Sequence, residues 1–262
     1  MSPKSFFSAF FLAALLPSAA QAQWQFSGGF GLRHVQTAEY APGGAKLVTE
    51  RGWLPGVQLR AERPIGDWLL ALHGLLHGGD IDYDGRLQNG APFRTETDTR
   101  QSRLGVELSH ALNPSLQFVA GLEWDYWNRR IRGHSGVLGL SERYTSWRLL
   151  GGVDFDALRT NGGVLRARTM LVASSPEKLR VRFDNDLFDE TRFSTKAGIG
   201  MRIGFTFVPS AAPAMTLGLE FDWLRVPRSG DALLRQGGSA AGSLAQPEHV
   251  RRGVDVYVRY RF

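Results

Sequence analysis

The sequence predicts an all-β chain, a transmembrane antiparallel up-and-down barrel of about ten strands, with eight or twelve as the neighbouring counts. Three observations carry this. Apolar and polar residues alternate at period two through segment after segment, the pattern of strands with one greasy face. Ionised side chains fall almost wholly on the other face. Short and long connectors alternate along the chain, the arrangement of a barrel that crosses a bilayer.

Residues 1–22 read as an export signal, with Lys4 as the positive start, an apolar run from Phe6 to Leu16 and the small-residue pattern Ala20-Gln21-Ala22 before cleavage. The apolar run is far shorter than the roughly 20 residues that a spanning helix needs. Residues 23–262 carry no composition shift that would divide them, so one domain is expected. Cysteine is absent, which leaves neither a disulfide nor a Cys-ligated metal in an exported chain. No metal and no cofactor is implied. Lys and Arg outnumber Asp and Glu by 31 to 25. In an exported protein that balance points to anionic lipid or polysaccharide and away from nucleic acid.

The first strand sets Trp24, Phe26, Gly28, Phe30 and Leu32 against Gln25, Ser27, Gly29, Gly31 and Arg33. Taken at every second residue, the apolar faces that follow run over 57–61, 68–76, 104–108, 116–126, 147–155, 165–173, 195–205, 215–223 and 254–262. Short turns are expected at 63–67, 111–114, 156–163 and 208–214, where Pro, Gly and Asn supply the geometry. Long loops are expected at about 36–51, 84–100, 128–143, 175–191 and 226–249.

The opposite faces carry Arg33, Arg60, Glu62, Arg103, Glu107, Glu123, Asp125, Arg148, Asp154, Arg166, Arg168, Lys196, Arg202, Glu220, Asp222, Arg251, Asp255, Arg259 and Arg261. An Arg against lipid costs about 2–4 kcal/mol at mid-bilayer, so this face is assigned to the lumen. Aromatic residues gather at both strand ends. Trp24, Phe26, Trp68, Phe155, Phe205, Tyr260 and Phe262 lie by the short turns, and Trp53, Trp124, Tyr126, Trp147 and Trp223 by the long loops. Two such girdles mark two membrane surfaces.

The last residues, VDVYVRYRF, then present Val254, Val256, Val258, Tyr260 and Phe262 to lipid, with Asp255, Tyr257, Arg259 and Arg261 inward. This ending resembles the C-terminal signal of Gram-negative outer-membrane barrels. The resemblance implies an outer-membrane location, periplasmic termini, lipid and lipopolysaccharide as surroundings, and the barrel assembly machinery with periplasmic chaperones as partners. Oligomeric state is left open.

Ten strands enclose little more than eight do, and eight-stranded interiors are filled by side chains. The inward charges are therefore expected to pair and fill the lumen, with a narrow, porin-like solute path as one alternative. The stretch HGGDIDYDG places His77, Asp80, Asp82 and Asp84 together, a set that suits water activation or Ca²⁺ if the groups converge, although His77 has the opposite parity to the Asp residues. Arg129, Arg130 and Arg132 follow the outer aromatics and suit lipopolysaccharide phosphates.

In size, layout and early Asp-x-Asp the chain resembles the omptin surface proteases. That resemblance implies Asp82 and Asp84 on one side of a cleft and an Asp-x-His pair on the other. Asp184 and Asp186 stand near the fourth loop, but no His occurs from 135 to 248, so no catalytic residue is carried over. The Ser109-His110 and His134-Ser135 neighbours point no more firmly to a lipid-modifying hydrolase. The leading expectation is a non-enzymatic surface or envelope barrel whose loops bind something outside, with a surface hydrolase as the alternative.

Overall fold

The computed structural model describes residues 24–87 and 90–262. The expected export signal lies outside these. The strands are β1 (Gln25–Tyr40), β2 (Lys46–Ile65), β3 (Trp68–Arg86), β4 (Pro92–Asn113), β5 (Leu116–Ile131), β6 (Leu140–Thr160), β7 (Gly163–Ser174), β8 (Lys178–Phe183), β9 (Thr191–Ser194), β10 (Gly198–Pro209), β11 (Met215–Val226), β12 (Ala232–Gln236), β13 (Ser239–Leu244) and β14 (Glu248–Arg261). One 3₁₀ turn, Asp184–Asp186, follows β8. Among the described residues no helix is long and apolar enough to cross a membrane.

All of these strands but β12 and β13 form one antiparallel sheet, and β5 pairs again with β6, which closes it into a cylinder. β6 holds β7 along 148–160 and β8 along 140–145, while β10 holds β7 and β9 holds β8. Thus β7 with β8 makes one stave, and β9 with β10 another, so ten staves surround the lumen. The two breaks, at 175–177 and 195–197, lie opposite each other. Pro176 has no N–H to donate there. The gap is bridged instead by the Glu177 amide donating to Thr195 Oγ1 at 2.9 Å and the Thr195 amide donating to the Glu177 carbonyl at 3.0 Å.

The two-sided sorting holds around the cylinder. Phe30, Leu59, Leu149, Leu171 and Ile199 each expose more than half of their surface outward, and Trp53 and Trp147 stand exposed at the far end. Arg33, Arg103, Glu107, Glu123, Asp125, Arg148, Arg202 and Asp255 are buried inside. Val256, Val258, Tyr260 and Phe262 face outward as expected. Glycines on the inner face make slots for large polar neighbours: a Cβ at Gly56 would strike the His77 ring, at Gly105 the His73 ring, at Gly218 the Tyr257 ring and at Gly253 the Arg33 guanidinium.

Two expectations need correction. Most of the segments read as long loops are strand. The β1–β2 ladder runs to Tyr40↔Lys46, β3–β4 to Arg86↔Pro92, and β5–β6 to Ile131↔Leu140. Their inner side chains pack into a buried polar layer beyond the outer aromatics, and that burial keeps the backbones paired where the turn-forming composition suggests loops. Among the described residues 226–249 makes the longest excursion from the barrel, and it carries the β12–β13 hairpin. Lys196, expected in the lumen, is exposed and Thr195 is buried, because the break at 195–197 resets the alternation.

Candidate functional site

The inward charges form layers. At the short-turn end Arg60 donates to Glu62 at 2.7 Å and Glu107 at 2.9 Å, and Arg168 to Glu107 at 3.1 Å and Asp154 at 2.9 Å. Above them Arg33 joins Asp222 at 2.5 Å and also Asp255, Arg103 joins Asp222 at 2.6 Å, and Arg202 joins Glu123 at 2.6 Å. His77 Nε2 lies 3.3 Å from Asp255, and His73 Nε2 lies 3.1 Å from Glu123. Next, Asp125 takes Arg148 at 2.7 Å and Arg251 at 3.3 Å, while Glu177 reaches in from the broken stave to Arg251 and to His249, 3.0 Å away.

The outermost layer lies beyond the level of Trp53 and Trp147. Arg129 donates to Glu39 at 2.7 Å, to Glu50 at 3.0 Å and to Glu142. Its guanidinium sits 5.1 Å from the Trp127 ring centroid, and Trp127 stacks on Tyr144 at 4.7 Å. The Tyr144 hydroxyl lies 2.8 Å from the Glu142 carboxylate, to which it donates, and 2.9 Å from the Gln246 side chain, and Thr97 donates to Glu50 at 2.7 Å. Three carboxylates thus share one cation. Burial pushes the Glu50 carboxyl above its usual range, and nearby Glu39 and Glu142 add to that, against the pull of Arg129 and Thr97.

This geometry settles the positions of the candidate residues. Asp80, Asp82 and Asp84 lie on the outer wall, exposed, whereas His77 points inward to Asp255. They do not converge. Asp80 pairs with Arg132 at 2.7 Å, Arg132 also pairs with Glu96, and Asp84 pairs with Arg94 at 3.3 Å. Arg129 is corrected: it faces the interior with its nitrogens engaged and is closed to lipid phosphates. Arg130 and Arg132 do face outward, Arg130 lying 3.9 Å from Asp184. Asp186 pairs with Arg182 at 2.9 Å on the exposed turn. Asp82 and Asp84 therefore line no inner cleft opposite Asp184 and Asp186.

Among the described residues one set of carboxylates, Glu220, Asp222 and Asp255, brings ligand atoms within 4.8 Å of one another. Arg33, Arg103 and Arg202 already hold those groups. The arrangement is an ion-pair network, and a divalent cation would have to displace guanidinium groups to enter it.

A feature the sequence reading passed over lies on the outer wall past Trp147. Arg143 on β6 is directly opposite Arg180 on β8, and Arg180 is directly opposite Arg192 on β9. Lys178 stands one outward position closer to the membrane and Arg182 one farther away. Glu190 is shared by Arg180 at 3.4 Å and Arg192 at 2.7 Å, and those arginines hold its carboxyl below the usual range. Arg143 and Lys178 have no carboxylate within 4.0 Å among the described residues. Like charges directly opposite on neighbouring strands destabilise a sheet. The signal was present in the sequence as basic residues on the lipid parity just beyond an aromatic belt.

No family model matches the chain, and no curated protein matches it in sequence. Solved structures do match. The outer membrane protease OmpT from Escherichia coli aligns at TM-score 0.57 and 12% identity, over 91% of this chain and 97% of that one. The fold is that of an outer-membrane β-barrel. At that identity the likeness concerns the fold alone. The translocator domain of the autotransporter NalP from Neisseria meningitidis aligns at 0.49 with 14% identity, over 91% of this chain and 88% of that one. The attachment invasion locus protein Ail of Yersinia pestis aligns at 0.40 with 9% identity, over 91% and 99%.

Proposed function

We propose that the protein is a non-enzymatic envelope barrel of the bacterial outer membrane, with a lumen closed by paired charges and an outer wall that holds phosphorylated lipid. The short turns and both termini face the periplasm, in keeping with barrels of this class. Export by way of residues 1–22 and assembly through the Val254-to-Phe262 pattern belong to the same reading. The observation that carries lipid binding is the Arg143, Arg180 and Arg192 ladder, with Lys178 between it and the Trp147 belt. Arg143 and Trp147 are four residues apart on one strand, about 13 Å along it, which puts the guanidinium groups at headgroup level. A phosphate between facing arginines converts a repulsive row into charge-assisted, bidentate hydrogen bonds.

The test is lipopolysaccharide binding by the refolded barrel. Changing Arg143, Arg180 and Arg192 together to Gln is expected to weaken it at least tenfold, and dephosphorylated lipopolysaccharide should bind the native barrel as weakly. Unchanged binding by the triple variant would reject the ladder as the site.

A further inference from the structure

We propose that the cavity at the periplasmic end of the lumen is a binding site for a small oxyanion, a phosphate or a carboxylate, with Arg259 as its principal ligand. The cavity has a volume of ≈170 Å³, room for several waters or for one such ion. Its walls come from the inner faces of all ten staves, and its ceiling is the network of Arg202, Glu220 and Asp255, so a ligand enters from the periplasmic side.

The carboxylates that line it are already engaged. Glu62 and Glu107 take Arg60, Glu107 and Asp154 take Arg168, Glu220 takes Arg202 at 3.3 Å, and Asp255 takes Arg33 and His77. Arg259 is different. Among the described residues no carboxylate lies within 4.0 Å of it, and its guanidinium sits over the Tyr257 ring, whose centroid is 5.8 Å from its Cζ. That ring lies over Gly218, in space that any Cβ there would occupy. The glycine thus lets Tyr257 fold down and carry the guanidinium as a stacked fork. Arg60, Glu62 and Arg168 lie within electrostatic reach of it, Glu62 being already held by Arg60 at 2.7 Å, and Gln117 and Thr206 offer neutral donors on the same walls. A guanidinium with free donors in a concave, low-dielectric pocket fits an oxyanion bidentately, where a lysine would supply only a point charge.

The experiment titrates the refolded full barrel in detergent with inorganic phosphate and, separately, with acetate, by calorimetry. The native barrel and the Arg143, Arg180 and Arg192 to Gln variant are both used, so that binding at the outer ladder is separated from binding here. Expected in the ladder variant is saturable binding to one site, weakened at least tenfold when Arg259→Gln is added and partly kept with Arg259→Lys. The tighter of the two ions names the ligand class. Arg261→Gln, at the exposed rim, should leave binding unchanged. Because Arg259 lies in the last strand and its replacement can impair assembly, a second measurement uses the native chain: phosphate should slow phenylglyoxal modification of Arg259 at least fivefold, read by peptide mass. Absence of saturable binding, equal loss from Arg261→Gln, or unchanged modification of Arg259 would each overturn the proposal.

Discussion

Replacing Arg129 by Met tests whether the inner charges work as buried pairs. The substitution keeps a long apolar stem and removes the cation that Glu39, Glu50 and Glu142 share. Three hydrogen bonds to charged groups, at about 1.5–3 kcal/mol each, set a gross loss of roughly 5–9 kcal/mol. The layer can escape part of this by taking up a proton. Protonating a carboxyl of the usual value, 4.5, costs about 3 kcal/mol at pH 7, from ~1.4 kcal/mol per unit. The net loss expected at pH 7 is therefore about 3–5 kcal/mol, the range for breaking a buried pair. At pH 5 the same proton costs under ~1 kcal/mol, so the loss should shrink by about 2 kcal/mol. The assay is urea unfolding of the barrel from lipid vesicles at both pH values, followed by tryptophan fluorescence. A loss under ~1 kcal/mol at pH 7, or one equal at the two pH values, would refute the reasoning.

Glu50→Gln should cost little at pH 7. Because the folded-state pKa of Glu50 is raised, the folded barrel binds its proton more readily than the unfolded chain, so native stability should rise relative to this variant as pH falls from 7 to 5. Parallel melts of both proteins across that range read the difference. Changing Asp80, Asp82 and Asp84 to Asn removes only exposed partners, so stability should move by less than ~1 kcal/mol, as measured by the same urea unfolding. Leu149→Arg sets a charge against hydrocarbon and should cost about 2–4 kcal/mol in vesicles, again by urea unfolding. Planar bilayers holding the native barrel should show no discrete conductance.

The barrel itself was legible because a period of two with charge on a single parity has few other physical causes. Strand boundaries at the outer end were not. The segment 84–100 is rich in Gly, Asp, Asn and Thr and reads as a loop, yet Thr97 and Thr99 are fully buried there and hold Glu50 and the Trp127 indole. Their cost and benefit depend on Arg129 and Glu142, residues from other strands that no local pattern brings together. Parity did place His77 apart from Asp80, Asp82 and Asp84, but it failed at Lys196, where the break opposite Pro176 shifts the chain by one face. The Arg143, Arg180 and Arg192 row was hidden for a different reason, since three residues spread over fifty positions become neighbours only once strand register is known.

The central claim is that side chains alternate between hydrocarbon and a charged interior around a closed cylinder. The chain has no cysteine, so single Cys residues can be placed at each position from 254 to 260 and labelled with a fluorophore in the barrel reconstituted into vesicles. Brominated lipid should quench labels at 254, 256, 258 and 260 strongly and those at 255, 257 and 259 weakly, with a period of two. A flat profile, or one with strong quenching at the odd positions, would contradict the account.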